Sequence, residues 1–255
     1  MTVPPFSERR RAWSSPPVDD IGYFPSQEML SWDDETLNDV IGKMAISRYE
    51  GWRNYEMRWR VVLGLDSTRD KDVLDYGCGV GLEALQYAKA GNRVSVADIA
   101  PYNVQLAARV LAASGYTPAH RYAIYEFPPF IQEQDLEFDV IHCCGVLHHI
   151  PNPRPVVEQM AKWLRKDGEL RLMLYSDEAW KIATGTKPTG APIEDSELFE
   201  RYWTHWDPHG GYADWYNQEK LEERFGEWFN VTSCLPLTEH GEYIGAILER
   251  RTACL

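Results

Sequence analysis

VLDYGCGVGLEALQYAKAGNRVSVAD, residues 73–98, decides the fold. Val73 to Tyr76 form a short apolar strand, and the glycines that follow end it. Leu82, Leu85 and Ala88 then recur at helical spacing until Gly91 stops them, and Val94 to Asp98 read as a second strand. Strand, glycine turn, helix, strand is the unit of a parallel sheet, because parallel neighbours need a crossover between them. Gly77, Gly79 and Gly81 let the backbone turn tightly and approach a ligand with no Cβ in the way. Asp98 ends the second strand, where a carboxylate can accept hydrogen bonds from both hydroxyls of an adenosine ribose. In the dinucleotide fingerprint the last glycine would stand at Leu82, so a nicotinamide dinucleotide is disfavoured.

The same rhythm continues outward. Pro101 suits a helix N-terminus, followed by Val104, Ala107, Ala108 and Leu111, with Gly115 as C-cap. Further strands are expected at Arg121 to Tyr125, Phe138 to Cys144 and Glu169 to Tyr175, with a helix from Pro155 to Arg165. Gln218 to Phe225 reads as a helix, and Phe229 to Leu235 with Tyr243 to Glu249 as an antiparallel hairpin at the sheet edge. The expected class is therefore α/β: a Rossmann-like, doubly wound, seven-stranded sheet, mostly parallel, with an antiparallel edge hairpin.

Three stretches lie outside this pattern. Residues 1–25, rich in Pro and Ser, are expected to be flexible. Residues 26–65 read as a helical lid, in which Tyr49, Trp52, Tyr55 or Met57, and Trp59 share one helical face that serves either as core or as cover for a ligand. Residues 176–216 have no clean period, hold many aromatics and read as an insertion before the last helix. Residues 66–255 make up the main domain.

The chain of 255 residues, 44% hydrophobic, is long enough for a substantial core. Its formal charge of −13 disfavours nucleic acid and anionic membrane as partners, since both need cationic surface. Five cysteines with no C-x-x-C pair, no apolar leader after the early arginines and no membrane-length apolar run point to reduced thiols and a cytoplasmic location.

Asp75 before Gly77, Gly79 and Gly81, with Asp98 after the next strand, resembles the first two motifs of the class I S-adenosylmethionine-dependent methyltransferases. Phe138-Asp139-Val140-Ile141 followed by Gly145-Val146-Leu147-His148-His149-Ile150-Pro151 is similar to the fourth-strand motif of the quinone-biosynthesis type, small-molecule branch. Lys166-Asp167-Gly168-Glu169 is the next landmark, and the resemblance covers about residues 70 to 175. It implies S-adenosylmethionine as cofactor, with Asp75, Gly77, Cys78, Gly79 and Gly81 at its methionine part and Asp98 at its ribose. Ile99 would flank the adenine, Glu126 would lie near its amino group and Cys144 beside the sulfonium. Tyr49 and Arg53 are candidates to cover the cofactor, with Arg48, Arg53 or Arg58 for its carboxylate.

Methyl transfer from a sulfonium needs positioning and desolvation; a base helps only when the acceptor is a protonated hydroxyl or ammonium. His148 and His149 serve either as a structural cap after the fourth strand or as substrate-side groups, with His149 the candidate base. THWDPHGGYADWYN, residues 204–217, adds His205 and His209 as candidate bases. His205, Asp207 and His209 would share a face only in an extended strand, which Pro208 and the glycines oppose, so no metal is expected. The stretch is then a structural loop or the wall of an acceptor pocket. The implied acceptor is a small molecule, aromatic or cationic, methylated on oxygen or nitrogen. The alternatives are an RNA or protein methyltransferase, a non-catalytic cofactor-binding protein, and transfer of another group from a related sulfonium.

Overall fold

The computed structural model describes residues 5–17, 22–126, 128, 130–133, 135–189, 196–206 and 212–251. Strands β1 (Asp72–Tyr76), β2 (Arg93–Asp98), β3 (Arg121–Ala123), β4 (Phe138–Cys144) and β5 (Leu164–Tyr175) are joined by parallel pairing. β6 (Phe229–Pro236) and β7 (Tyr243–Arg250) form a hairpin whose β7 adds antiparallel to β5. The sheet order is β3-β2-β1-β4-β5-β7-β6. The helices, in chain order, are α1 (Phe6–Ala12), α2 (Ser26–Met29), α3 (Asp34–Glu50), α4 (Arg58–Val62), α5 (Leu82–Lys89), α6 (Pro101–Ala113), α7 (Arg154–Trp163), α8 (Asp177–Thr184), α9 (Ser196–Trp206) and α10 (Gln218–Phe225).

The sheet agrees with the sequence pattern, and β4 and α10 occupy the residues expected of them. β1 sits between β2 and β4, so the chain reverses its direction of travel across the sheet beside the glycine loop. A doubly wound sheet opens a crevice at that point, above the carboxyl ends of its strands. Local chemistry fixes the helix starts: Asp33 accepts from the Thr36 N–H at 2.7 Å, Ser176 Oγ from the Ala179 N–H at 3.0 Å and Asn217 from the Lys220 N–H at 2.9 Å.

Two expectations about the lid are corrected. The aromatic face over 45–65 is not one helix: α3 ends at Glu50, and Glu56 and Met57 take positive φ of 50° and 61° before α4 begins. Buried Asn54 stitches the break, its amide donating to the Tyr49 carbonyl while its oxygen accepts from the Trp59 N–H at 3.0 Å. Tyr49 and Trp59 are therefore buried, whereas Trp52 is turned out and 51% exposed.

The opening segment, expected to be flexible, packs across the crevice in its described part. Asn103 on α6 pins it, donating from Nδ2 to the Trp13 carbonyl at 2.9 Å and accepting from Ser26 Oγ at 2.5 Å. Arg109 on the same helix donates to the carbonyls of Leu30 and Trp32. These long-range anchors have no local sequence signature, and the Pro- and Ser-rich composition concealed them. Among the described residues, no helix is long and apolar enough to cross a membrane.

Candidate active site

The glycine loop is shaped by what each missing Cβ would meet. Gly77 and Cys78 both donate their N–H groups to the Ala97 carbonyl, at 2.7 and 3.0 Å, which folds the loop back over β2. At Gly79, with φ of +49°, a Cβ would meet only Pro16 of the opening segment, at 3.6 Å, so this residue borders open space. At Gly81, with φ of +85°, a Cβ would lie 2.7 Å from Ala107 Cα. That glycine serves the close approach of α5 to α6 and does not line the crevice.

Buried acids surround the loop. Asp98 accepts from the Gly79 N–H at 3.0 Å and the Ala100 N–H at 2.8 Å, and burial pushes its carboxyl up to about 6 against those donors. Asp75 accepts from the Ala84 N–H at 3.1 Å, and burial, then the charge of Glu83, holds its carboxyl well above the ordinary value. Glu83, in the first turn of α5, is buried too, but the Arg48 guanidinium beside it overrides burial and keeps its carboxyl below the ordinary value. Tyr49 adds a hydrogen bond from its hydroxyl to Glu83 at 3.2 Å. Burial raises the thiols of Cys78, Cys143 and Cys144, so each stays protonated and none offers a thiolate nucleophile.

The crevice encloses a cavity of about 250 Å³. Asp75, Gly77, Gly79, Glu83 and Asp98 line one side of it, and Trp13, His149, Tyr175, Trp206 and Tyr243 the other. His149, in a 3₁₀ turn after β4, is buried; its Nδ1 lies 3.0 Å from the Tyr212 carbonyl and its ring 4.7 Å from that of Trp13. A carbonyl only accepts, so Nδ1 carries the proton and Nε2 is the basic nitrogen of the neutral ring. His148 is kept neutral by burial and then by its neighbour, which hold its pKa well below the usual imidazole value.

The structure brings Asp75, Gly77, Cys78, Gly79, Asp98, Ile99, Cys144, Arg53 and His149 to one cavity. Others expected at the site lie elsewhere. Tyr49 stands behind Glu83, Gly81 lies between helices, and Glu126 is exposed beyond β3. His205 is exposed on α9, because its neighbour Trp206 takes the inward position and successive helical residues point about 100° apart. Asp207 and His209 lie outside the described residues. Among the described residues no group of three or more His, Cys, Asp or Glu side chains could hold a metal ion.

The aromatic stretch has two parts with different duties. Trp206 faces the cavity, and its indole donates to the Ala179 carbonyl at 2.8 Å. Residues 212–216 instead back the histidine turn: the Tyr212 carbonyl meets His149, and the Asp214 N–H donates to the His148 carbonyl at 2.7 Å. Asp214 is fully buried on Lys220, at 2.7 Å, and Arg224, at 2.5 Å, which fixes this support. Glu83, Trp13, Tyr175 and Tyr243 were not singled out from sequence. A lone acid in the apolar first turn after the glycine loop, and a tyrosine ending β5, were the available signals for Glu83 and Tyr175.

The residues present fit an adenosine cofactor with an amino-acid tail. Asp98 is a buried acceptor at the end of β2, Gly79 leaves room where a side chain would stand, and Asp75 and Glu83 supply negative charge near the loop. Comparison with known proteins gives the same answer. A family model described as "Methyltransferase domain" matches residues 49–228. The ubiquinone biosynthesis O-methyltransferase of Actinobacillus pleuropneumoniae serotype 7 is 35% identical over 104 residues, 39% of this chain and 44% of that enzyme. The enzyme of the same name from Xylella fastidiosa (strain 9a5c) is 35% identical over 98 residues, 38% of this chain and 39% of that enzyme. The matches thus span less than half the length of these curated relatives. Among solved structures, an S-adenosylmethionine-dependent methyltransferase from Clostridium acetobutylicum aligns with TM-score 0.57 at 13% identity, over 84% of this chain and 98% of that one. The N-methyltransferase NodS from Bradyrhizobium japonicum, in complex with S-adenosyl-L-homocysteine, aligns with TM-score 0.53 at 18% identity, over 88% and 96%. At such identities the structural likeness speaks for the fold.

Proposed function

This chain belongs to the class I S-adenosylmethionine-dependent methyltransferases, and from that membership we propose that it methylates an oxygen or nitrogen of a small aromatic acceptor. One observation carries the reading: the glycine loop with Asp98 and the ring of His149 line opposite sides of a single cavity. When bound, S-adenosylmethionine supplies a methyl group already activated by its positively charged sulfur.

The chain's own residues do the rest. Asp98 takes the ribose hydroxyls, Ile99 flanks the adenine, and Asp75 with Glu83 faces the ammonium of the methionine tail. Arg48, fixed on Glu83, is placed on the same side for the tail carboxylate. Trp13, Tyr175, Trp206 and Tyr243 exclude water and present flat apolar surface to the acceptor. Holding the partners in reactive geometry is worth roughly 7 to 11 kcal/mol. His149 Nε2 takes the proton of an acceptor hydroxyl or ammonium, while the Tyr212 carbonyl holds the ring in the required tautomer and stabilises it once charged.

Calorimetry with S-adenosylhomocysteine tests the cofactor half of this reading. Wild type is expected to bind, and Asp98→Ala and Gly79→Val to lose binding while circular dichroism shows an intact fold. Wild-type affinity in either variant would move the cofactor elsewhere.

A further inference from the structure

The wall facing the glycine loop carries a basic nitrogen at one end and a guanidinium at the other. From His149 the ring contacts run on without interruption: His148 lies 4.1 Å from His149 and 4.1 Å from Tyr175, and Tyr175 lies 5.6 Å from Tyr243. Arg53 ends the row, its guanidinium carbon 5.8 Å from the centre of the Tyr243 ring and 5.1 Å from that of Trp52. Tyr175 and Tyr243 are register partners on β5 and β7, and His149 follows β4, so the row crosses two strand spacings. That is ~10 Å, the room for an aromatic ring with one hydrogen-bonding substituent at each end.

Taking the methyl-transfer reading above as its basis, we infer that the acceptor is a planar aromatic molecule bearing an anionic group such as a carboxylate. Its hydroxyl or amine meets His149 and its anion meets Arg53. The charges divide in the way this requires. Asp75, Glu83 and Asp98, with Arg48 on Glu83, belong to β1, α5 and β2, on the cofactor side. Arg53 lies against β7, on the far side of β4 and β5, with the acceptor wall.

A guanidinium lodged between an indole and a phenol keeps its plane fixed, and a fixed fork suits the two oxygens of a carboxylate. Aromatic faces alone would also attract a cation. Here, however, a second guanidinium, that of buried Arg9 on α1, enters the same cavity. Two guanidinium groups in the cavity disfavour a cationic acceptor, which narrows the aromatic-or-cationic expectation to an aromatic anion.

The test uses calorimetry on the full chain, with and without saturating S-adenosylhomocysteine. The probes are 4-hydroxybenzoate, 4-hydroxycinnamate and 6-hydroxy-2-naphthoate, each beside its uncharged primary amide. At least one acid is expected to bind about tenfold or more tighter than its amide, as a charge-assisted contact gives. Arg53→Gln should bring that ratio to within about threefold, and Arg53→Lys should restore part of it, with S-adenosylhomocysteine affinity unchanged in both. The inference is overturned if no acid outbinds its amide, if the preference survives Arg53→Gln, or if that variant loses S-adenosylhomocysteine, which would assign Arg53 to the cofactor. Failure of wild type to bind S-adenosylhomocysteine counts against the methyl-transfer reading; the acid and amide titrations without it still decide the anion subsite.

Discussion

Between Asp75 and Asp98 one unbroken stretch of chain builds the cofactor side of the cavity, while the facing wall draws Trp13, His149, Tyr175, Trp206 and Tyr243 from segments scattered along the chain. The first side is made of backbone: N–H groups of Gly79 and Ala100 aimed at Asp98, and glycines that keep side chains out. The second is made of side chains resting on one another. A backbone-built site tolerates almost no change in shape, whereas a wall of rings can alter its members one at a time. This contrast accounts for a shared cofactor motif on a chain whose acceptor region matches no pattern.

The sharpest way to break the contrast is to add side chains to the loop. Gly81→Val would press against the backbone of Ala107 and impose positive φ on a branched residue, together costing about 2–5 kcal/mol of stability. Gly79→Val carries the φ strain but opens toward Pro16, so it should cost only about 1–3 kcal/mol while losing the cofactor. Urea unfolding of both variants beside S-adenosylhomocysteine titration separates the two roles. If Gly79→Val proved the less stable of the two, the assignment of Gly81 to helix packing would be wrong.

The same contrast governs how much could be read beforehand. The strand-turn-helix order and Asp98 were legible because hydrophobic period and glycine placement are local, and the sheet followed from them. Trp13 was not, since its position depends on Asn103 reaching its carbonyl from α6. His149 stood between: its place after β4 was visible, but its tautomer depends on the Tyr212 carbonyl, far along the chain. His149→Ala should lower kcat about 10²- to 10⁴-fold, the range of a general base, with S-adenosylhomocysteine binding unchanged. A loss of cofactor affinity instead of rate would make it part of the cofactor side.

Acid tests the backbone-built side alone. Asp98 is raised from its ordinary value to about 6, so in the free protein it is protonated below that pH and ionised above it. A raised folded value means that the folded chain binds this proton more tightly than the unfolded one. Its contribution to stability is therefore fully present below about pH 4 and is lost as pH rises through about 6. Cofactor binding runs the other way, because the ionised carboxylate is the better acceptor for ribose hydroxyls. S-adenosylhomocysteine affinity should fall about tenfold between pH 7 and pH 5, and Asp98→Asn should be weak and flat across that range. A wild-type affinity indifferent to pH would mean that this carboxylate does not meet the ribose.

The smallest expected effect separates two adjacent residues on the side-chain-built wall. Trp206 lines the cavity and is held from both ends, its indole donating to Ala179 and its carbonyl accepting from the Tyr175 hydroxyl at 3.1 Å. His205 is exposed and touches this arrangement only through the Trp206 ring, 4.7 Å away. Trp206→Ala should therefore raise KM for the acceptor by about tenfold, the worth of one stacked ring, with little change in kcat. His205→Ala should leave kcat and KM within about twofold of wild type, as an exposed substitution away from the cavity does. A loss of kcat at His205 with an unchanged KM would show that α9 turns this histidine into the cavity during turnover, and the wall would then hold a second base.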